Sequence, residues 1–161
     1  MRAYLAGPLG FSEAGRSFLY ERLIPALSEA GVEVVDPWTL ADPAAIKGAH
    51  DLPTGLRKQL AWKALNAVIA RTNVEAIDAC DLVIAVLDGT DVDSGTAAEI
   101  GYAYARGKRV LGYRGDFRLA GDNEGATVNL QVEYFIDASG GEIVRSLEAL
   151  VRQVAASVST E

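Results

Sequence analysis

Short apolar runs that read as strands alternate along this chain with longer stretches of helical periodicity, and that alternation admits few folds. The strand runs are RAYLA at 2–6, VEVVD at 32–36, DLVIAVL at 81–87 and KRVLGY at 108–113, with a weaker EIVR at 142–145. Strands separated by helices pair in parallel, so the expected architecture is α/β: a doubly wound parallel sheet with helices on both faces. The chain of 161 residues is long enough for one domain with its own hydrophobic core, and no internal repeat or low-complexity linker divides it.

The first helix is expected from about Ser12 to Ala30. Ser12 caps it, Leu19, Leu23, Leu27 and Ala30 recur at helical spacing, Gly31 ends it, and Pro25 predicts a kink. A second helical region covers roughly 56–79, and Thr72-Asn73-Val74-Glu75 reads as a capping box that would break it in two. A third helix runs from about Ser94 to Arg106, closed by Gly107, and a last one lies near 146–157. Residues 37–55 and 114–128, with their Pro, Gly, Asp and Asn, read as long loops, which in small domains usually serve function.

Composition narrows the functional classes. A formal net charge of −7 with scattered Lys and Arg excludes a general nucleic-acid-binding surface, which needs clustered cations. Cys80 and His50 are each the sole residue of their type, which excludes an intrachain disulfide and a zinc site of Cys and His ligands. Without a histidine partner, Cys80 reads as a small core residue. The N-terminal MRAYLAGP lacks a continuous apolar leader and no run reaches membrane-span length, so no membrane association and a cytoplasmic location are expected.

Open parallel sheets bind ligands outside the carboxyl ends of their strands. That rule points to Gly7–Phe11, Asp88–Asp93 and Arg114–Val128, and brings in Gly7, Phe11 and Gly89 as candidate substrate contacts. Asp88, Asp91 and Asp93 crowd the exit of the third strand, Ser94 reads as the N-cap of the following helix, and Gly95 permits close backbone approach. Glu99 then falls in the first two turns, among Ala97, Ala98, Ile100, Gly101 and Ala103. A lone helix carboxylate is usually a solvent-facing residue. Here position 103, where a basic partner would stand, is alanine, so the functional reading stands beside the bland one. Asp91-Val92-Asp93 departs from a DxDx[TV] phosphatase motif at Gly95, the acids match no EF-hand, and GxSxG, Walker A and GxGxxG are all absent.

YLAGPLGF at 4–11, NVEAIDACDLVIAVLDG at 73–89, DSGTAAEIGYAYARGK at 93–108 and VNLQVEYFI at 128–136 together resemble the nucleoside 2′-deoxyribosyltransferases. The resemblance implies a flavodoxin-like sheet of five parallel strands, transfer of 2-deoxyribose between nucleobases, no cofactor, and a homo-oligomer. Its substrates would be 2′-deoxynucleosides and free nucleobases. Residue by residue, it implies Glu99 as the nucleophile, Tyr4 as the phenol that orients it, and Asp93 as the carboxylate that hydrogen-bonds the sugar. Asn129 would reach the 5′ side of the sugar in a neighbouring subunit. From the residues alone Tyr4 reads as a core aromatic, and Asn129 reads equally as a helix cap before LQVEYF.

Two positions depart from the family pattern. Asn73 stands where many members carry an aspartate that contacts the base and helps protonate it, and an amide is no ordinary proton donor. Gln131 stands where the family often has methionine, which makes that edge of the site more polar. Rival readings are an N-glycosidase of deoxynucleoside 5′-monophosphates, a phosphoribohydrolase and a non-catalytic nucleoside-sensing module. The first loop, GPLGFSEAGR, offers Arg16 but no phosphate-binding cluster, and DVDSGT replaces the PGGxGT context of the phosphoribohydrolases.

Overall fold

The computed structural model describes residues 1–158. Five parallel strands form one sheet in the order β2-β1-β3-β4-β5. They are β1 (Arg2–Ala6), β2 (Glu33–Val35), β3 (Leu82–Val86), β4 (Arg109–Tyr113) and β5 (Ile143–Val144). The chain leaves β1 toward β2 on one side and returns to build β3 on the other, so the topological switch point lies between β1 and β3. Register sets Tyr4 opposite both Val35 and Val83. β3 is buried at every position, as a central strand covered on both faces requires.

Side-chain alternation splits the core into two layers. Tyr4, Val83, Ala85 and Val110 pack with Ile77 of α4 (Leu56–Ala79), Ile100 and Ala103 of α5 (Ser94–Ala105), and Ile136 of α6 (Leu130–Ala138). On the opposite face Leu5, Ile84 and Leu111 meet Leu19, Leu23 and Leu27 of the first helix, and Leu150 and Val154 of α7 (Leu147–Val158). The expected flavodoxin-like doubly wound fold is therefore present. Cys80 is buried at the foot of β3, as its core reading requires.

Local chemistry refines one expectation and corrects two. The first helix is irregular just before Pro25: α1 (Glu13–Phe18) passes into a π-helical stretch, Leu19–Leu23, and then α2 (Ile24–Glu29). The Ile24 N–H reaches back to the Leu19 carbonyl, and the wider turn relieves the clash a proline ring makes with the preceding turn. Helix α4 runs unbroken for 24 residues, because the Thr72 hydroxyl donates to the Val68 carbonyl at 3.1 Å instead of capping a new helix. Residues 37–55 are not one long loop. They hold a 3₁₀ turn at Pro37–Thr39 and helix α3 (Pro43–His50), whose N-cap Asp42 accepts the Ala44 N–H at 2.9 Å.

Arg114 is fully buried, and among the described residues no carboxylate forms a salt bridge with it. Its guanidinium donates to the carbonyls of Leu87, Gly89 and Arg118, tying the exit of β3 to the loop after β4. Among the described residues no helix is long and apolar enough to cross a membrane. Ile100 is the largest of the buried residues that seat α5 on the sheet. Ile100→Ala is expected to cost about 2–5 kcal/mol of stability, read as a lower urea midpoint with an unchanged slope.

Candidate active site

Asp93 begins the site. It, and not Ser94, is the N-cap of α5: its Oδ2 accepts the Thr96 N–H at 3.0 Å and the Thr96 hydroxyl at 3.2 Å. Ser94 is the exposed first residue of the helix. The cap fixes the pitch of the first turns, and within two turns Glu99 faces Tyr4 of β1.

There the fully buried Tyr4 donates its hydroxyl to Glu99 Oε1 at 2.6 Å. Asn73, near the end of α4, brings its Nδ2 to the same oxygen at 3.5 Å, while its Oδ1 is buried without a partner among the described residues. Both bonds fall on Oε1, so Oε2 has no hydrogen-bond partner among the described residues. Burial pushes the Glu99 carboxyl above the usual glutamate range. The bond from Tyr4 opposes that push, and the charge of Asp93 adds to it. Burial and the bond to Glu99 together raise the Tyr4 phenol far above its ordinary value, so it acts as a neutral donor.

Glu99 and Asp93 open onto a cavity of about 590 Å³. Gly7 and Phe11 after β1, Pro37 and Trp38 after β2, and Trp62, Asn66, Ile69 and Asn73 of α4 form its walls, with Gly95 and Thr96 beside Asp93. Phe11 meets Trp38 edge to face, with ring centroids 4.6 Å apart. Trp38 is held by Asp36, whose carboxylate accepts the Trp38 N–H at 3.1 Å and the Tyr20 hydroxyl at 3.0 Å. A Cβ on Gly10 would come within 2.2 Å of the Trp38 ring, so only glycine lets the indole lie there.

The structure thus brings Glu99, Tyr4, Asp93, Asn73, Gly7 and Phe11 together. Gly89, Ser94, Asn129 and Gln131 do not line this cavity. Gly89 sits at φ +135° with its carbonyl on Arg114, and Asn129 caps α6 by accepting the Gln131 N–H at 3.0 Å. The sequence reading missed Pro37, Trp38, Trp62, Asn66, Ile69 and Thr96. The signal for the helical members was available: Trp62, Asn66, Ile69 and Asn73 recur at steps of four, three and four, which is one face of a helix. Among the described residues no group of three or more His, Cys, Asp or Glu is placed to hold a metal ion.

The upward shift of Glu99 has a definite sign for stability. A carboxyl whose folded pKa exceeds its unfolded value contributes stability below the unfolded pKa and loses it as pH rises through the folded one. Glu99→Gln removes the buried charge but keeps an acceptor for Tyr4. Its melting temperature is expected to exceed that of the parent protein at pH 7.5, with the difference vanishing near pH 4 in a thermal-melt series.

Comparison with known proteins places the chain. The model of the family described as nucleoside 2-deoxyribosyltransferase matches residues 3–131. An uncharacterized protein of Schizosaccharomyces pombe is 32% identical over 120 residues, covering 72% of this chain and 51% of the relative, so the chain spans about half that relative's length. Among solved structures, a conserved protein from Enterococcus faecalis V583 superposes with a TM-score of 0.69 at 25% identity, over 96% of each chain. The 2-deoxyribosyltransferase from Bacillus psychrosaccharolyticus superposes with a TM-score of 0.67 at 19% identity, over 94% of this chain and 90% of its own, a likeness of fold. The matched stretch contains Tyr4, Asn73, Asp93 and Glu99, and the chain belongs to the nucleoside 2-deoxyribosyltransferase family.

Proposed function

We propose that this protein transfers a 2-deoxyribosyl group between nucleobases by a retaining double displacement, with Glu99 as the covalent sugar acceptor. The observation that carries the reading is the 2.6 Å bond from Tyr4 to Glu99, in the wall of an aromatic-lined cavity that also holds Asp93. Oε2 of Glu99, free of protein hydrogen bonds, attacks the anomeric carbon of a bound 2′-deoxynucleoside. The bond from that carbon to the base nitrogen breaks, its electron pair leaves with the base, and the base takes up a proton. A glycosyl ester on Glu99 results. A ring nitrogen of a second base then attacks the same carbon and gives up its proton to solvent, the ester bond breaks, and Glu99 returns as carboxylate with the sugar configuration retained.

Each wall has a task in that sequence. The carboxylate stabilises the oxocarbenium-like transition state from beneath the ring. Asp93 spends Oδ2 on capping α5, and its other oxygen serves a sugar hydroxyl. Trp38 and Trp62 offer apolar faces to the base. A bound base also keeps water from the glycosyl ester, and in its absence slow hydrolysis follows. The same reading makes the active form a homo-oligomer in which Asn129 of the partner subunit reaches the 5′ side of the sugar, with Gln131, Gly89 and Ser94 outlying substrate contacts. It places the enzyme in nucleoside salvage in the cytoplasm.

Incubation with a 2′-fluoro-2′-deoxynucleoside, followed by peptide mass spectrometry, is expected to show the added sugar mass on Glu99. Glu99→Ala and Glu99→Gln should fold and lose base exchange by at least about a thousand-fold. Substantial exchange by either variant removes Glu99 from the nucleophile role. Product analysis with and without an acceptor base separates transfer from hydrolysis, and reversible binding with no turnover would identify a sensing module instead.

A further inference from the structure

The cavity around Glu99 contains no positive charge: none of its lining residues is lysine, arginine or histidine. The groups that face the carboxylate come from three elements. Tyr4 stands on β1, Asp93 at the entry to α5, and Asn73 on α4, while Asp36 at the end of β2 acts on Tyr4. Of these, Asp93 shares the sign of Glu99 and opposes its ionisation, while Asp36 helps keep the Tyr4 phenol protonated. A nucleophilic Glu99 therefore depends on neutral donors, and the structure supplies two, both directed at Oε1.

The donor from Asn73 explains an otherwise costly feature of the fold. A buried amide oxygen without a donor is uncommon, yet Asn73 Oδ1 is in that condition. Turning the amide over would not satisfy that oxygen either, because it would set Oδ1 against the Glu99 carboxylate 3.5 Å away. The orientation follows if the ionised carboxylate fixes it. The contact is long for a hydrogen bond, so its effect on Glu99 is smaller than that of Tyr4 and chiefly electrostatic.

On the reading of Glu99 as nucleophile, we propose that Asn73 is a positioning residue for it: the amide N–H steadies Oε1 of the charged carboxylate and leaves Oε2 free to attack. In this role the residue serves the nucleophile and not the base. Proton delivery to the leaving base falls to another group or to solvent. The opposite assignment, in which position 73 serves only the base, makes a contrary prediction for an isosteric change.

Asn73→Asp keeps the side-chain shape, removes the N–H and sets a third carboxylate beside Glu99 and Asp93. The titration of Glu99 can be followed by carbon NMR of glutamate-labelled protein, with the signal assigned through Glu99→Gln. Its midpoint is expected to rise by about one pH unit in Asn73→Asp, and by less in Asn73→Ala. The acid limb of the labelling rate with a 2′-fluoro-2′-deoxynucleoside should move by the same amount, a roughly tenfold loss on that limb. A role in packing alone would lower the plateau and leave the limb in place. An unmoved Glu99 midpoint in Asn73→Asp, or faster base exchange by that variant, overturns the proposal. A midpoint that moves in a protein that is never labelled would retain Asn73 as the partner of Glu99 and sink the transferase reading instead.

Discussion

A carboxylate held in an apolar wall without a cation must be kept charged by dipoles alone, and the hydrogen bond from Tyr4 to Glu99 is the principal one here. Its two ends belong to different elements. The phenol projects from β1, whose register against β2 and β3 fixes the side of the sheet it faces. The acid projects from α5, which Ile100 and Ala103 press onto that same face. A one-residue slip in the pairing of β1 would send Tyr4 to the opposite layer and leave Glu99 without its donor. A lysine or arginine in place of the phenol would ionise Glu99 more strongly, but in the proposed nucleophilic role a cation would also draw charge from the attacking oxygen. A neutral donor on one oxygen alone avoids that competition.

Sheet topology supplies the rest of the setting. The switch point between β1 and β3 opens a crevice at the carboxyl ends of those strands. The segments leaving β1, β2 and β3 contribute to one cavity, whereas the expected segment Arg114–Val128 after β4 does not line it. Phe11 comes from the turn after β1, Trp38 from the turn after β2, and Asp93 from the turn after β3. Asp36 links two of these segments, since it receives Tyr20 from the π-helical stretch and the Trp38 amide from the 3₁₀ turn. The widened turn before Pro25 therefore has a second consequence: Tyr20 lies in it and reaches Asp36.

The sheet was readable from the chain because strand runs such as DLVIAVL need no tertiary context to declare themselves. The acidic half of the site was readable for a related reason: Asp93 and Glu99 follow a strand exit within one continuous segment. Helix α3 was hidden in a stretch rich in Pro and Gly, although Asp42-Pro43 is a cap followed by a proline in the first turn. The capping box at Thr72 was misleading because the same residues satisfy an uninterrupted helix once the hydroxyl bonds backward. Choosing between Asp93 and Ser94 as cap required the actual backbone, since adjacent residues with capping side chains differ only in φ and ψ. The aromatic wall was least readable: Trp38 and Trp62 converge from positions 24 residues apart, and only the fold makes them neighbours.

Burial is distributed across the cavity in a way that suits the proposed reaction, with one fixed and one exchanging partner. The sugar side rests on α5 and β1, where Tyr4, Ile100 and Ala103 are fully buried. The other wall is α4, whose one buried residue is Ile77, one turn beyond Asn73. Toward its N-terminus that helix exposes Leu56, Leu60 and Val68, so Trp62 stands on its less anchored half. In a double displacement one base must depart and another enter while the glycosyl ester stays in place. Movement of the Trp62 half would open the base wall and leave Glu99 undisturbed, because Ile77 pins α4 to the core close to the point where Asn73 touches the acid. The amide contact thus lies at the boundary between the two halves, on the side that need not move.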